Sequence, residues 1–191
     1  MVWNLPILLT WMRILAIPLV ILLAVLGKRN PAGAGDEAAG LLFGAAAITD
    51  TLDGYLARRL GQTTSLGAFL DPVADKLIVA VALVLIVSRD PRLVLVLSAV
   101  VIIGREIAVS ALREWMAELG HRTKVSVSVF GKYKTIAQMV GVSMLLYRSD
   151  LFGLPVYFLG KWLTVFAAIL TLISMFMYLR AALPYLRERS Q

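Results

Sequence analysis

The sequence predicts an all-α integral membrane protein with six transmembrane helices. Hydrophobic residues make up 60% of the 191 residues, and the mean hydropathy is +0.83. Apolar runs of about twenty residues, the length that crosses a bilayer, recur along the chain. No polar stretch is long enough to bury a core of its own, so we expect residues 1–191 to form a single membrane domain.

Six spans follow from these apolar runs. The predicted spans are Leu5–Leu26, Ala38–Ala57, Pro72–Ser88, Leu93–Leu112, Val125–Tyr147 and Leu154–Leu179. Pro6 and Arg13 interrupt the first run, so an alternative places residues 4–12 in an N-terminal interfacial helix on the membrane surface. No convincing small-residue cleavage site closes this run, so we expect it to stay as an anchor.

The distribution of lysine and arginine predicts the orientation. An even number of spans puts both termini on one side, and the connections on that side hold more basic residues: Arg58, Arg59, Arg113, Arg122, Lys124, Arg180, Arg187 and Arg189. The positive-inside rule therefore predicts cytoplasmic termini. The net charge of +7 follows from this bias and from anionic lipid headgroups, so it does not indicate nucleic-acid binding.

The residue content limits the kind of site that the chain can build. There is no cysteine, and His121 is the single histidine. Thiolate zinc sites, histidine-rich metal sites, disulfides and cysteine–histidine nucleophile pairs are therefore excluded or strongly disfavoured. Any demanding chemistry must rest on oxygen ligands.

Four aspartates lie where the second span ends and the third begins: Asp50, Asp53, Asp71 and Asp75. An uncompensated charge at the bilayer centre costs roughly 2.5–3.5 kcal/mol, so a cation must lie among them or water must reach them. The i,i+3 and i,i+4 spacings direct each pair to one helix face, and all four share the cytoplasmic third. We predict a four-carboxylate site for hard divalent cations. For Asp71 alone, which precedes Pro72, a structural helix N-cap is the alternative.

Small residues and an arginine accompany the aspartates. Gly54 and Gly67 remove side chains where a ligand could approach, and Ala57 keeps the same face shallow. The planar fork of Arg58 could hold phosphate oxygens. Each residue alone has a simpler interpretation as a packing glycine or an interfacial arginine, but together they favour a ligand site.

The run from Asp50 to Asp75, DTLDGYLAR followed after eight residues by GAFLDPVAD, resembles the CDP-alcohol phosphotransferase signature at every specified position. Similarity to bacterial members that use glycerol 3-phosphate continues through NLPILLTWMR, REIAVSALREWMAELG and GKYKTIAQM, and covers essentially the whole chain. The resemblance implies a six-helix fold, usually homodimeric, in the bacterial inner membrane with a cytoplasmic active site. It also implies phosphatidyl transfer from CDP-diacylglycerol to sn-glycerol 3-phosphate, with release of CMP.

The resemblance also assigns roles by position. The implied ligands of two Mg²⁺ or Mn²⁺ ions are Asp50, Asp53, Asp71 and Asp75. Asp75 is in addition the implied catalytic base. The implied nucleotide-binding residues are Gly54, Ala57, Arg58 and Gly67.

Basic residues at the cytoplasmic ends of the fourth and fifth spans are candidates for holding the acceptor phosphate: Arg105, Arg113, Lys132 and Lys134. Snorkelling to headgroups is the alternative. It is weaker for Arg105, which precedes Glu106 well inside a span, and for Lys134. Residues near the N-terminus could close the site, with headgroup anchoring as the alternative for the arginine among them: Asn4, Thr10 and Arg13.

Two other functions explain part of this pattern. A small cation channel or transporter would use the acidic residues as an ion site. It explains neither their crowding at one side of the membrane nor the placement of glycine and arginine. The nearer alternative is the same chemistry with inositol phosphate, serine or phosphatidylglycerol as acceptor, because the signature reads the CDP half of the reaction.

Overall fold

The structure, a computed structural model, describes residues 5–29, 33–60, 65–118 and 129–188, with side chains described at 10–29, 33–49, 70, 72–118 and 133–180. These residues form six helices: α1 (Leu5–Arg29), α2 (Ala34–Leu60), α3 (Ser65–Arg89), α4 (Leu93–Glu118), α5 (Val129–Tyr147) and α6 (Val156–Glu188). The all-α prediction is therefore confirmed for the part of the chain that is described.

The start of α3 differs from the prediction. The helix begins at Ser65, so Asp71 and Pro72 both lie inside it. The alternative in which Asp71 is only an N-cap is therefore wrong. A proline usually marks the beginning of a helix, but membrane helices tolerate interior prolines because neighbouring groups satisfy the freed backbone carbonyl.

Other helix ends differ by a few residues. α2 starts at Ala34, because Gly33 adopts a φ of 75° and its carbonyl accepts a hydrogen bond of 2.9 Å from the Asp36 amide. α6 starts at Val156. The beginning of the fifth predicted span, residues 125–128, lies outside the described residues.

The first helix runs without interruption from Leu5 to Arg29 and contains Pro18. No separate helix precedes it within the described residues, and the placement of residues 4–12 on the membrane surface stays a prediction. Asn4 lies outside the described residues.

Three stretches among the described residues are long and apolar enough to cross a membrane: Thr10–Arg29, Leu93–Glu118 and Val156–Arg180. No such stretch is found within the described side chains of α2, α3 and α5, and the prediction of six transmembrane helices stays a prediction. Large hydrophobic side chains cover the outside of the bundle, including Leu15, Leu41, Val100, Ile107 and Phe176. Such an extensive apolar surface indicates membrane association.

Successive helices run antiparallel and give the bundle two ends. At the Asp90 end lie the connections between α1 and α2, α3 and α4, and α5 and α6. The Asp75 end is the opposite one, where Arg13 of α1 meets Asp75 of α3. Between the ends runs an apolar core that includes Phe43, Leu83, Ile102, Val142 and Leu145.

A group of charged residues joins the helices at the Asp90 end. This Tyr157 cluster consists of Asp36, Arg89, Asp90, Arg92, Arg148 and Tyr157. Arg92 Nε donates to both carboxylate oxygens of Asp90, at 2.8 and 2.9 Å, and the Tyr157 hydroxyl donates to the same carboxylate. Hydrogen bonds from Arg92 hold the pKa of Asp90 well below its usual range.

Candidate active site

A polar cavity of about 280 Å³ lies among α3, α4, α5 and α6 near the Asp75 end. Its described lining contains more basic than acidic side chains: Lys76, Arg105, Arg113 and Lys134 against Asp75 and Glu106. The cavity therefore combines a carboxylate with an excess of positive charge, which suits an anionic ligand.

Asp75 is the predicted site aspartate whose side chain is described. Its carboxylate lines the cavity and is 36% exposed, and its Oδ1 accepts a hydrogen bond of 2.8 Å from Nη1 of Arg13. The Arg13 side chain is buried, so the alternative that it only anchors α1 to headgroups is wrong. Thr10 is buried one turn earlier on α1. Helix α1 thus places the guanidinium group of Arg13 against Asp75.

The side chains of Asp50, Asp53 and Asp71 lie outside the described residues, so the four-carboxylate site stays a prediction. Their helix positions are described. Asp71 precedes Asp75 by one turn of α3, which keeps the two on one face. Asp50 and Asp53 lie in the part of α2 that approaches the Asp75 end.

A small recess links this part of α2 to Asp75. Ala46 and Ala47 line the recess together with Arg13 and Asp75. Asp50 follows Ala46 by one helical turn, in the direction of the Asp75 end. Residue 50 therefore lies on the part of α2 that is near Asp75.

Three of the predicted acceptor-phosphate residues meet in one group, which we call the Tyr178 cluster: Arg105, Glu106, Arg113, Lys134, Ser174 and Tyr178. Glu106 Oε1 accepts hydrogen bonds from Nη1 of Arg105 at 2.6 Å and from Nζ of Lys134 at 3.0 Å. The side chains of Arg105 and Lys134 are only 9% and 3% exposed. Neither residue snorkels to the surface.

Helix α6 fixes the two arginines of α4. Nη2 of Arg113 donates to the Tyr178 hydroxyl at 3.0 Å, and Nη2 of Arg105 lies 3.4 Å from Ser174 Oγ. Both guanidinium groups also lie over the Tyr178 ring, at 5.3 Å for Arg113 and 5.9 Å for Arg105. These cation–π contacts and hydrogen bonds orient the cations before any ligand arrives.

Tyr178, Ser174 and Gln138 were not predicted from the sequence. Tyr178 stands in an apolar run, where a tyrosine is normally an interface residue, and its partner Arg113 is 65 positions away. Gln138 offered a usable signal, since an amide inside a membrane-length helix needs a hydrogen-bonding partner. The remaining predicted residues have side chains outside the described residues: Gly54, Ala57, Arg58, Gly67 and Lys132.

Two apolar grooves, of about 340 and 380 Å³, lie between α2 and α5. Gly44, Ile48 and Met144 line both of them. The first groove shares Thr135 and Met139 with the lining of the polar cavity. The polar cavity and this apolar groove are therefore neighbours.

Comparisons with known proteins agree with these features. A family profile described as CDP-alcohol phosphatidyltransferase matches residues 3–180. Proteins named CDP-diacylglycerol–glycerol-3-phosphate 3-phosphatidyltransferase, from Shigella flexneri serotype 5b (strain 8401), Shigella boydii serotype 4 (strain Sb227) and Escherichia coli (strain K12), are each 49% identical over 182 residues. The matches cover 95% of this chain and 96% of the relatives. With both the profile and the relatives spanning nearly its full length, the chain belongs to the CDP-alcohol phosphatidyltransferase family.

Proposed function

We propose that this protein transfers the phosphatidyl group of CDP-diacylglycerol to sn-glycerol 3-phosphate, which yields phosphatidylglycerophosphate and CMP. The observation that carries the proposal is the meeting of Asp75 with Arg105, Arg113 and Lys134 in one cavity. The 49% identity to relatives named for this reaction supports the choice of both substrates. Family membership argues against the channel or transporter alternative.

The cations of the Tyr178 cluster are the proposed site of the acceptor phosphate. Arg105, Arg113 and Lys134 carry three positive charges against the single carboxylate of Glu106. A phosphate dianion would restore the balance through charge-assisted hydrogen bonds. Lys132 is a further candidate, because it lies at the beginning of the same helix as Lys134.

Asp75 is the proposed general base. Its carboxylate borders the cavity, where it would take the proton of the acceptor's primary hydroxyl. The hydroxyl oxygen forms a bond to the phosphorus that carries diacylglycerol, and the bond from that phosphorus to the CMP oxygen breaks, so CMP leaves with the bonding electrons. Arg13 holds the carboxylate in place from α1 at 2.8 Å.

Metal ions are part of the proposal. Asp50, Asp53, Asp71 and Asp75 would hold two Mg²⁺ or Mn²⁺ ions, and the residues fit such ions because all four offer hard carboxylate oxygens. Bound metal would neutralise the diphosphate and stabilise the departing CMP. The pairing of Asp75 with Arg13 supports the view that these carboxylates need positive partners.

The nucleotide half of the donor is assigned to the residues that accompany the aspartates. Gly54 and Ala57 leave room on the α2 face that carries Asp53, and Gly67 does so on α3. Arg58 would bind phosphate oxygens of the CDP group.

The acyl chains of the donor would lie in the apolar grooves between α2 and α5. Gly44 and Met144 are among the residues that line the groove of about 340 Å³. Thr135 and Met139 line both this groove and the polar cavity, so the two lie side by side, as a donor with its headgroup in the cavity and its tails in the groove would require.

We further propose six transmembrane helices in the bacterial inner membrane, with both termini and the active site cytoplasmic, and a homodimer as the working form. The absence of cysteine allows a direct test of orientation. Phe152 is 97% exposed in the connection between α5 and α6. A Phe152→Cys variant should react with a membrane-impermeant maleimide in intact cells; labelling only after cell lysis would contradict the proposed orientation.

The acceptor assay is the decisive experiment for the function. Purified protein would be supplied with CDP-diacylglycerol, Mg²⁺ and one acceptor at a time, and CMP release would be followed. We expect release with sn-glycerol 3-phosphate and little with inositol phosphate, serine or phosphatidylglycerol. Faster release with any of the other three would contradict the proposed acceptor while preserving the family's chemistry.

A further inference from the structure

Gln138 is a buried amide on the wall of the cavity that none of the roles above explains. It follows Lys134 by one turn of α5 and lines the same cavity. The residue is 4% exposed, and its Oε1 has no hydrogen-bond partner among the described residues. Buried polar atoms in proteins are almost always paired, so a bound hydrogen-bond donor would be expected to satisfy this oxygen.

The neighbouring groups define which donor is suitable. Arg105 and Lys134 are themselves donors, and both are directed to Glu106. The Tyr178 oxygen already accepts from Arg113. An amide oxygen accepts from a hydroxyl without adding negative charge beside a phosphate, which a second carboxylate would do. Gln138 is therefore suited to a neutral hydroxyl carried by an anionic ligand.

We propose that Gln138 Oε1 accepts a hydrogen bond from the secondary hydroxyl of the acceptor, and so makes the cavity selective for a phosphorylated vicinal diol. This inference rests on the proposed function. With the phosphate on the cations and the primary hydroxyl at Asp75, the hydroxyl on the carbon between them needs an acceptor of its own. Gln138 thereby acts as a specificity-determining residue that takes no proton and forms no bond.

The test compares two acceptors in two proteins. The acceptors are sn-glycerol 3-phosphate and 3-hydroxypropyl phosphate, which lacks the secondary hydroxyl and keeps every other group. We expect the parent to prefer glycerol phosphate in kcat/KM by roughly ten- to a hundredfold, the size expected when one buried hydrogen-bonding group is left unsatisfied. In Gln138→Leu, which keeps the side-chain bulk but removes its polar atoms, that preference should nearly vanish because only the glycerol phosphate reaction is impaired.

Thr164→Val is the matched control. Thr164 is also buried with an unpaired Oγ1 among the described residues, but it lies on α6 outside the cavity lining. This variant should keep the full preference of the parent. Isothermal titration adds a readout that does not depend on turnover: Gln138→Leu should bind glycerol phosphate more weakly and inorganic phosphate as tightly as the parent.

Each outcome separates the two proposals. Equal losses on both acceptors in Gln138→Leu, or weaker binding of inorganic phosphate, would overturn the hydroxyl assignment and indicate structural damage. A parent that uses both acceptors equally well would also overturn it while leaving the proposed function intact. A parent that releases CMP with neither acceptor would contradict the proposed function and this inference with it.

Discussion

Two clusters on α6 are built alike and differ in their charge. Tyr157 lies beneath Arg148 and Arg92, at 5.1 and 5.8 Å, as Tyr178 lies beneath Arg113 and Arg105, at 5.3 and 5.9 Å. In the Tyr157 cluster two aspartates face three arginines, and the tyrosine hydroxyl donates a hydrogen bond to Asp90. In the Tyr178 cluster three cations share one glutamate, and the tyrosine hydroxyl accepts.

The difference supports the proposal that the Tyr178 cluster binds an anion and the Tyr157 cluster does not. Stacking on a tyrosine positions arginines in both clusters, so this feature alone does not indicate a ligand. The Tyr178 cluster has the larger surplus of positive charge, because three cations share one carboxylate instead of two, and it borders a cavity of about 280 Å³ that is also lined by Asp75. We therefore propose a structural role for the Tyr157 cluster and anion binding for the Tyr178 cluster.

Substitution of the aspartates at the Asp75 end should have the largest effect on activity. Asp75→Asn should lower CMP release by roughly 10²- to 10⁴-fold, because it removes a general base that is also a proposed metal ligand. Asp50→Asn, Asp53→Asn and Asp71→Asn should be similarly inactive, and EDTA should silence the parent until Mg²⁺ or Mn²⁺ is restored. Steady-state CMP release measures all of these effects.

Asp90→Asn is the matched change in the Tyr157 cluster. It should keep the turnover of the parent and lower only the thermal midpoint, since Asp90 contacts Arg92 and Tyr157 far from the cavity. Full activity of the parent in EDTA would exclude the metal site. Near-normal turnover of Asp75→Asn would exclude its role as base.

Removal of single cations should have the next largest effect. Arg113→Ala and Lys134→Ala should each raise the KM for glycerol 3-phosphate or lower kcat/KM by roughly ten- to two-hundredfold, the size expected for a lost charge-assisted phosphate contact. The KM for CDP-diacylglycerol should change little. Arg92→Ala, which removes a cation stacked on Tyr157, should leave both substrate dependences unchanged. An unchanged acceptor dependence in both cavity variants would return these residues to a structural role.

The sequence predicted more of the helices than of the contacts between them. Apolar runs are local signals, and they located all six helices, although Pro72 misplaced the start of α3. The inward orientation of Arg105 was predictable because Glu106 follows it inside a span. The pairing of Arg13 with Asp75 was not, because these residues are 62 positions apart and meet only when α1 packs on α3.

The same limit explains the missed residues of the cavity. Tyr178 and Ser174 act through arginines on another helix, and nothing in the composition of α6 distinguishes them from lipid-facing neighbours. The aspartate site could be predicted, because short i,i+3 and i,i+4 spacings already bring each pair of aspartates to one helix face. Residues that come together within one helical turn can be recognised from their spacing in the sequence, whereas contacts between residues on different helices cannot.

Replacement of either tyrosine by phenylalanine should have a smaller effect, on substrate binding at Tyr178 and on stability at Tyr157. Tyr178→Phe removes the oxygen that accepts from Arg113 at 3.0 Å but keeps the stacked ring, so the acceptor KM should rise by roughly two- to tenfold. Tyr157→Phe removes a donor to Asp90 and should leave the kinetics unchanged while lowering stability by about 0.5–1.5 kcal/mol. Steady-state kinetics and thermal unfolding of both variants measure these effects. A kinetic defect in Tyr157→Phe but not in Tyr178→Phe would contradict the proposed roles of the two clusters.

The smallest expected effect is a pH dependence of stability that arises from the Tyr157 cluster. The hydrogen bonds from Arg92, with those from Tyr157, lower the pKa of Asp90 in the folded protein. Because the folded pKa lies below the unfolded one, the stabilisation is fully present above the unfolded value of about 4 and is lost as the pH falls through the folded value. The parent should therefore exceed Asp90→Asn in unfolding free energy by a constant margin, up to about 1 kcal/mol, from neutral pH down to about 4. Below that pH the margin should narrow, because the asparagine variant has no proton to gain at this position. If the difference in unfolding free energy instead grows on acidification, the folded protein disfavours the ionised form of Asp90. That result would contradict the proposed structural role of the Tyr157 cluster.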